Sequence, residues 1–143
     1  MGNLAQRAKS KKNHRKNPIW NGAKGFFPLP KDLMDTERYQ NLKPCELKLL
    51  LEAMYQYNGT NNGNLSFAYT DMKERGFTSK SSLERARIGL VEKELLIISR
   101  QGFSGCGGHR QCTLYALSWI PIQECRGVTL DIKPTIKPIK QLW

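Results

Sequence analysis

Two β-rich runs, LLIISRQ at residues 95–101 and TLYALSW at residues 113–119, flank the stretch GFSGCGGHRQC symmetrically. Runs of this kind around a glycine-rich loop read as a β-hairpin. The hairpin constrains the chain most, because the periodic segments ahead of it are helical. In KPCELKLLLEAMYQY, Leu47, Leu50, Leu51 and Met54 recur at i, i+3, i+4 and i+7, the spacing of one helical face. Pro44 suits the first helical position and Glu46 the positively polarised end. A helix is therefore expected over residues 44–57, ended by NGTNNGN, whose residues tolerate left-handed backbone.

The remaining elements are read from similar signals. LSF is a short strand candidate, with Ser66 placed to cap the next helix. FAYTDMKER is a short helix with Ala68 and Met72 as its apolar stripe. Gly76 stands where a left-handed C-terminal cap belongs, and Phe77 supplies the accompanying apolar contact. TSKSSLERARIGLVEKELL opens with Ser79 as N-cap and puts Leu83, Ala86, Leu90 and Val91 on one face. At 100° per residue the opposite face carries Ser81, Arg85, Ile88 and Glu92, with Ser82 and Gly89 beside them. Arg87 falls at the margin, its stem packed and its head turned outward. FFPLPKDLMDTERYQNL reads as an extended lead-in that drapes over the core.

Charge divides the chain. Residues 1–31 hold eight Lys or Arg and no Asp or Glu, residues 32–125 hold eleven of each sign, and residues 126–143 add four basic residues against Asp131. This is a neutral body with two basic tails, and such tails suit a polyanion partner. The division expected is a flexible basic arm at 1–25, one folded domain at 26–122 and an extended Pro/Lys-rich arm at 123–143. Polar, aperiodic residues 1–24 fit the first arm and IKPTIKPIKQLW the last. No segment approaches the ~18–20 apolar residues of a membrane span. Cys45, Cys106, Cys112 and Cys125, in a chain with no export signal, read as thiols. A cytoplasmic location is the expectation.

The order helix, short strand, short helix, capped turn, longer helix, hairpin resembles an α+β winged helix-turn-helix domain: three helices, a short strand and a β-hairpin wing. LSFAYTDMKERGFTSKSSLERARIGLVEKELLIISRQG carries the resemblance: GFTSKSSLERA resembles the turn and start of a recognition helix, and LVEKELLIISR the join to the wing. LPKDLMD…LKPCELKLLLEAMYQYNGTNNGNLSF is similar to small winged-helix proteins of prophages and integrative elements. The family usually has Gly where Glu94 stands and a Ser or Thr cap where Lys43 stands. The resemblance implies double-stranded DNA as partner and a role in transcription or replication of a mobile element. It puts the start of the recognition helix against base edges and phosphates, making Lys80, Ser81, Ser82 and Arg85 the candidates. His109 and Arg110 stand at the wing tip. Lys9, Lys11, Lys12, Arg15 and Lys16 form the densest basic cluster, a sequence-independent anchor.

Other chemistries fit these residues less well. As a metal knuckle, Cys106, His109 and Cys112 give three ligands in one loop, with Cys125 a conceivable fourth. As a phosphate loop the glycines fail, because they join two strands and open no helix. No nucleophile lies beside a His in a recognisable motif and no acidic pair stands out, so neither an enzyme nor a cofactor is expected. The competing reading is a protein-interaction module that reaches its partner through the C-terminal arm. That arm otherwise straps back over its own domain. With no long terminal helix to form a coiled coil, a monomer or weak dimer is expected.

Overall fold

A computed structural model describes residues 25–108 and 110–143, with Cys106 described in its backbone alone. The helices are α1 (Lys31–Met34), α2 (Glu37–Gln40), α3 (Pro44–Gln56), α4 (Tyr69–Glu74) and α5 (Lys80–Glu92). The strands are β1 (Leu96–Arg100), β2 (Phe103–Ser104), β3 (Arg110–Gln111) and β4 (Leu114–Leu117). The fold is α+β, with five helices among the described residues and a small antiparallel sheet in which β1 pairs with β4. Two more helices are present than the three expected, because the lead-in folds into single turns rather than lying extended. The Thr36 hydroxyl accepts from Tyr39 N–H at 3.3 Å to cap α2, and Leu33 is fully buried. No helix among the described residues is long and apolar enough to cross a membrane.

Helix α3 begins at Pro44, as expected, but buries a different face. Leu49, Leu50, Ala53 and Met54 enter the core with Glu46, while Leu51 is exposed and Leu47 half-buried. Three consecutive leucines leave the face ambiguous, and packing against α5 decides it. Glu46 is 3% exposed and accepts from the Lys93 ammonium and from Lys43 N–H. A buried carboxylate needs such partners. Gly89 of α5 packs directly on it, where an added Cβ would lie 2.5 Å from Oε1. Gly89 is thus buried and does not belong to the outward face assigned from its spacing.

The expected strand at residues 65–67 is a single bridge between Leu65 and Tyr115. Ser66 caps nothing; its N–H donates to Gln56 Oε1 at 3.0 Å and its carbonyl accepts from Gln56 Nε2 at 2.8 Å. Gln56 thereby ties the end of α3 to the chain that leads into α4. Ala68 is the N-cap residue of α4 and is exposed, leaving Met72 as that helix's buried side chain. Asn62, fully buried, accepts from Leu117 N–H at 2.7 Å and donates to the carbonyls of Leu117, Ile120 and Pro121. With its side-chain amide satisfied, it fixes the loop after α3 to the end of β4.

In the hairpin, Leu96 faces Leu117 and Ile98 faces Tyr115, with an irregularity between Ile98 and Arg100. Beyond it β2 and β3 form a second short ladder. The tail after Ile122 forms a turn at Arg126–Gly127, has no helix or strand, and is bonded back onto the domain. Asp131 N–H donates to Ser99 O at 2.8 Å, and Gln101 N–H donates to Asp131 Oδ2 at 2.8 Å. Further on, Lys140 N–H donates to Ser118 O at 3.0 Å, and Leu142 packs against the core. The tail is therefore a strap in its described course, and it occupies outward polar groups of β1 that an unpaired edge leaves exposed.

Candidate nucleic-acid interface

Helix α5 builds the candidate face. Ser79 caps it as expected, its hydroxyl accepting from Ser82 N–H at 3.1 Å. Leu83, Ala86, Gly89 and Leu90 face the core, which turns Lys80, Ser81, Glu84, Arg85, Ile88 and Glu92 outward. The Lys80 ammonium lies 5.5 Å from the ring centroid of Tyr69, whose hydroxyl donates to Thr78 O at 3.3 Å. The ring of α4 thus steadies this cation without neutralising it. Ser81 is exposed, its hydroxyl 3.2 Å from that of Ser79. Ser82 is half-buried and engaged through its N–H in the cap, so it is the least accessible of the four candidates on this helix. Arg85 Nε donates weakly to Ser81 O at 3.4 Å, and its terminal nitrogens have no partner among the described residues.

Acidic groups on the same face are partly engaged. Glu84 pairs with Arg87, whose side chain is 26% exposed as befits a residue at the margin. Arg87 Nε is buried and unpartnered among the described residues. A hollow of about 370 Å³ separates α5 from the base of the hairpin, with Ile88, Val91, Ile98 and Tyr115 in its walls. Burial pushes the Tyr115 phenol above its ordinary pKa, with the neighbouring Arg87 acting in the opposite sense. A second hollow, of about 610 Å³, lies between α5 and the start of α3 and includes Lys43, Arg85, Ile88 and Lys93.

Arg110 is exposed on β3 opposite Ser104, and Phe103 is exposed on β2 opposite Gln111. The turn between them uses Gly107 and Gly108 at φ 81° and 83°. Gly102 is needed for space instead: a Cβ there would lie 2.5 Å from Thr113 N and 2.6 Å from Gln111 O. His109 and the cluster Lys9, Lys11, Lys12, Arg15 and Lys16 lie outside the described residues. So the structure gathers Lys80, Ser81 and Arg85 on one face, with Ser82 at its edge, and places Arg110 on the separate tip of the hairpin.

Among the described residues no group of three His, Cys, Asp or Glu is placed to hold a metal ion, although two members of the proposed knuckle, His109 and the Cys106 side chain, lie outside them. Cys45, Cys112 and Cys125 carry free thiols. The Cys125 thiol is pushed up by burial, and the Cys112 sulfur sits 3.5 Å from Arg100 Nη2. The residue that sequence reasoning left without a role is Ile88, 49% exposed at the middle of the outward face and bordering both hollows. Its signal was legible, as an apolar side chain on the polar side of the helix. No family model, curated protein or solved structure matches the chain.

Proposed function

We propose that this chain is a winged helix-turn-helix protein that binds double-stranded DNA with sequence preference, in the cytoplasm, as a transcriptional regulator or replication-associated factor of a mobile genetic element. In this reading α5 is the recognition helix and the hairpin is the wing. The observation that carries it is the common outward face of Lys80, Ser81 and Arg85 at the N-terminal half of a capped helix. Phosphates favour that end of a helix, and Arg85 has the planar fork that reads guanine O6 and N7. The eight basic residues of the first 31, unopposed by any acid, supply attraction that the neutral body lacks. Arg110 at the wing tip reaches a phosphate or the minor groove. The protein acts by binding, with no reaction catalysed.

The test is duplex binding by fluorescence anisotropy. Affinity is expected to fall about 10³-fold between roughly 50 and 200 mM salt if about six phosphates are neutralised. Arg85→Ala should relax sequence preference, a bidentate arginine–guanine contact being worth about 1–3 kcal/mol. Lys11→Ala and Lys12→Ala should weaken all duplexes alike. Absence of duplex binding even at low salt ends the DNA reading. The second reading, a protein-interaction module, is favoured by the tail, where Ile136 is 97% exposed and Ile139 and Trp143 are also exposed. Under it, Trp143→Ala would abolish capture of a protein and leave duplex affinity unchanged.

A further inference from the structure

We infer that Ile88 is a specificity-determining residue that reads the C5-methyl group of a thymine one or two base pairs from the guanine read by Arg85. The inference rests on the DNA reading above and extends it to a base class. Ile88 is half exposed at the middle of the outward face, and it forms the ridge between the two hollows that flank α5. A β-branched side chain loses χ1 freedom on a helix, so an outward isoleucine is a poor choice unless something covers it. Ile98 on β1 is exposed across the hollow towards the hairpin and lines the same cavity, which extends the apolar strip beyond a single side chain.

The partner that suits this strip must be apolar at one point and polyanionic around it. Lys80 and Arg85 share its face, and the basic N-terminal residues add charge of the same sign. The thymine methyl is the apolar group that the major groove of a duplex presents to a protein. Arg85 and Ile88 are three residues apart, so their Cβ atoms lie about 5–6 Å from one another on the helix surface. Their separation along the axis is about 4.5 Å, against about 3.4 Å between successive base pairs. The two side chains therefore fall on adjacent or next-adjacent base pairs, guanine under the guanidinium and thymine under the isoleucine.

The experiment starts from duplexes selected out of a random library by the full-length chain. Each thymine of a selected duplex is then replaced by deoxyuridine, which removes the methyl and keeps the base pair. One replacement, within two base pairs of a guanine whose contact needs Arg85, is expected to cost about fourfold in affinity, the worth of one buried methyl. The same replacement should cost nothing in Ile88→Ala, a variant that an exposed helical site accepts because alanine is the better helix former. The deoxyuridine series on the unaltered protein is independent of any folding defect in the variant. If selected duplexes bind but every thymine tolerates deoxyuridine, or Ile88→Ala keeps the full penalty, the inference is overturned and the DNA reading stands. If no duplex is enriched, the DNA reading fails and takes the inference with it.

Discussion

Helices α4 and α5 end on the same backbone device and fill it with different residues. At the end of α4, Phe77 N–H donates to Met72 O at 3.0 Å and Gly76 N–H to Lys73 O at 3.2 Å. At the end of α5, Leu95 N–H donates to Leu90 O at 3.0 Å and Glu94 N–H to Val91 O at 3.0 Å. Both are Schellman caps, each closed by a buried apolar residue, Phe77 or Leu95. The left-handed position is Gly76 at φ 99° in one and Glu94 at φ 58° in the other. Glycine takes that conformation without a Cβ penalty, whereas a glutamate there costs about 1–2 kcal/mol.

The contacts of the Glu94 side chain are tertiary. Its carboxylate pairs with Arg38 on α2 and, at 3.1 Å, with Lys140 of the C-terminal strap. Arg38 also donates to Lys93 O at 3.1 Å. Both caps are closed locally, but the left-handed residue of the second is also held by side chains 56 and 46 positions away. The far end of α5 is clamped to the lead-in helices and the strap, while its start, carrying Lys80, Ser81 and Arg85, is left facing outward.

The sharpest challenge to this contrast is Gly89, a glycine kept for space and not for backbone conformation. In an ordinary helix Gly→Ala stabilises by about 1 kcal/mol. Gly89→Ala should instead destabilise by about 1–3 kcal/mol, because the new methyl displaces the buried Glu46 carboxylate from Lys93 and Lys43. Urea unfolding measures it, and a stabilised variant would mean that Glu46 moves aside freely. Gly76→Ala comes next, at about 1–2 kcal/mol, set by its left-handed backbone. The added Cβ also meets the Lys48 ammonium, but that end of an exposed, flexible side chain moves away cheaply.

Smaller effects come from Glu94. Glu94→Gly relieves the backbone and loses both pairs, whereas Glu94→Ala keeps the strain and loses them as well. The expected order in thermal unfolding is Glu94→Gly above Glu94→Ala, the reverse of ordinary helical preference. An opposite order would show that the cap is not strained. Acid gives the last test. The hydrogen bond from Arg38, then that from Lys140, hold the Glu94 carboxyl below its ordinary pKa. Its contribution is therefore fully present above the usual glutamate range near pH 4.3 and is lost as pH falls through the lowered value. The stability gap between the natural chain and Glu94→Gln should stay flat at neutral pH and close only in stronger acid.

Local signals gave much of the path of the chain. Pro44 marks the start of α3, Ser79 caps α5, and Gly76 with Phe77 ends α4, because capping involves residues a few positions apart. The hairpin was legible for the same reason, its two strands being separated by one short loop. The face of α3 was not legible, since Leu49, Leu50 and Leu51 satisfy more than one helical phase. Nor were the turns of α1 and α2 legible, because prolines mask four-residue helices that depend on Leu33 reaching the core. For the candidate site, the outward positions of Lys80, Ser81 and Arg85 followed from period and cap. Gly89 defeated that argument, because the same spacing that turns a residue outward also brings this one against Glu46.

The sequence by itself determined where α3 and α5 begin, where α4 ends and where the charge lies. These depend on backbone conformation, capping groups and formal charge, all properties of residues close together in the chain. Only the tertiary structure decided which leucines of α3 enter the core, that Glu46 is buried against Lys93, and that the basic tail closes over β1 and clamps Glu94. Each of those outcomes joins groups some thirty to forty-seven positions apart. No local pattern encodes such a pairing, because its free energy exists only once the partner elements have been brought together.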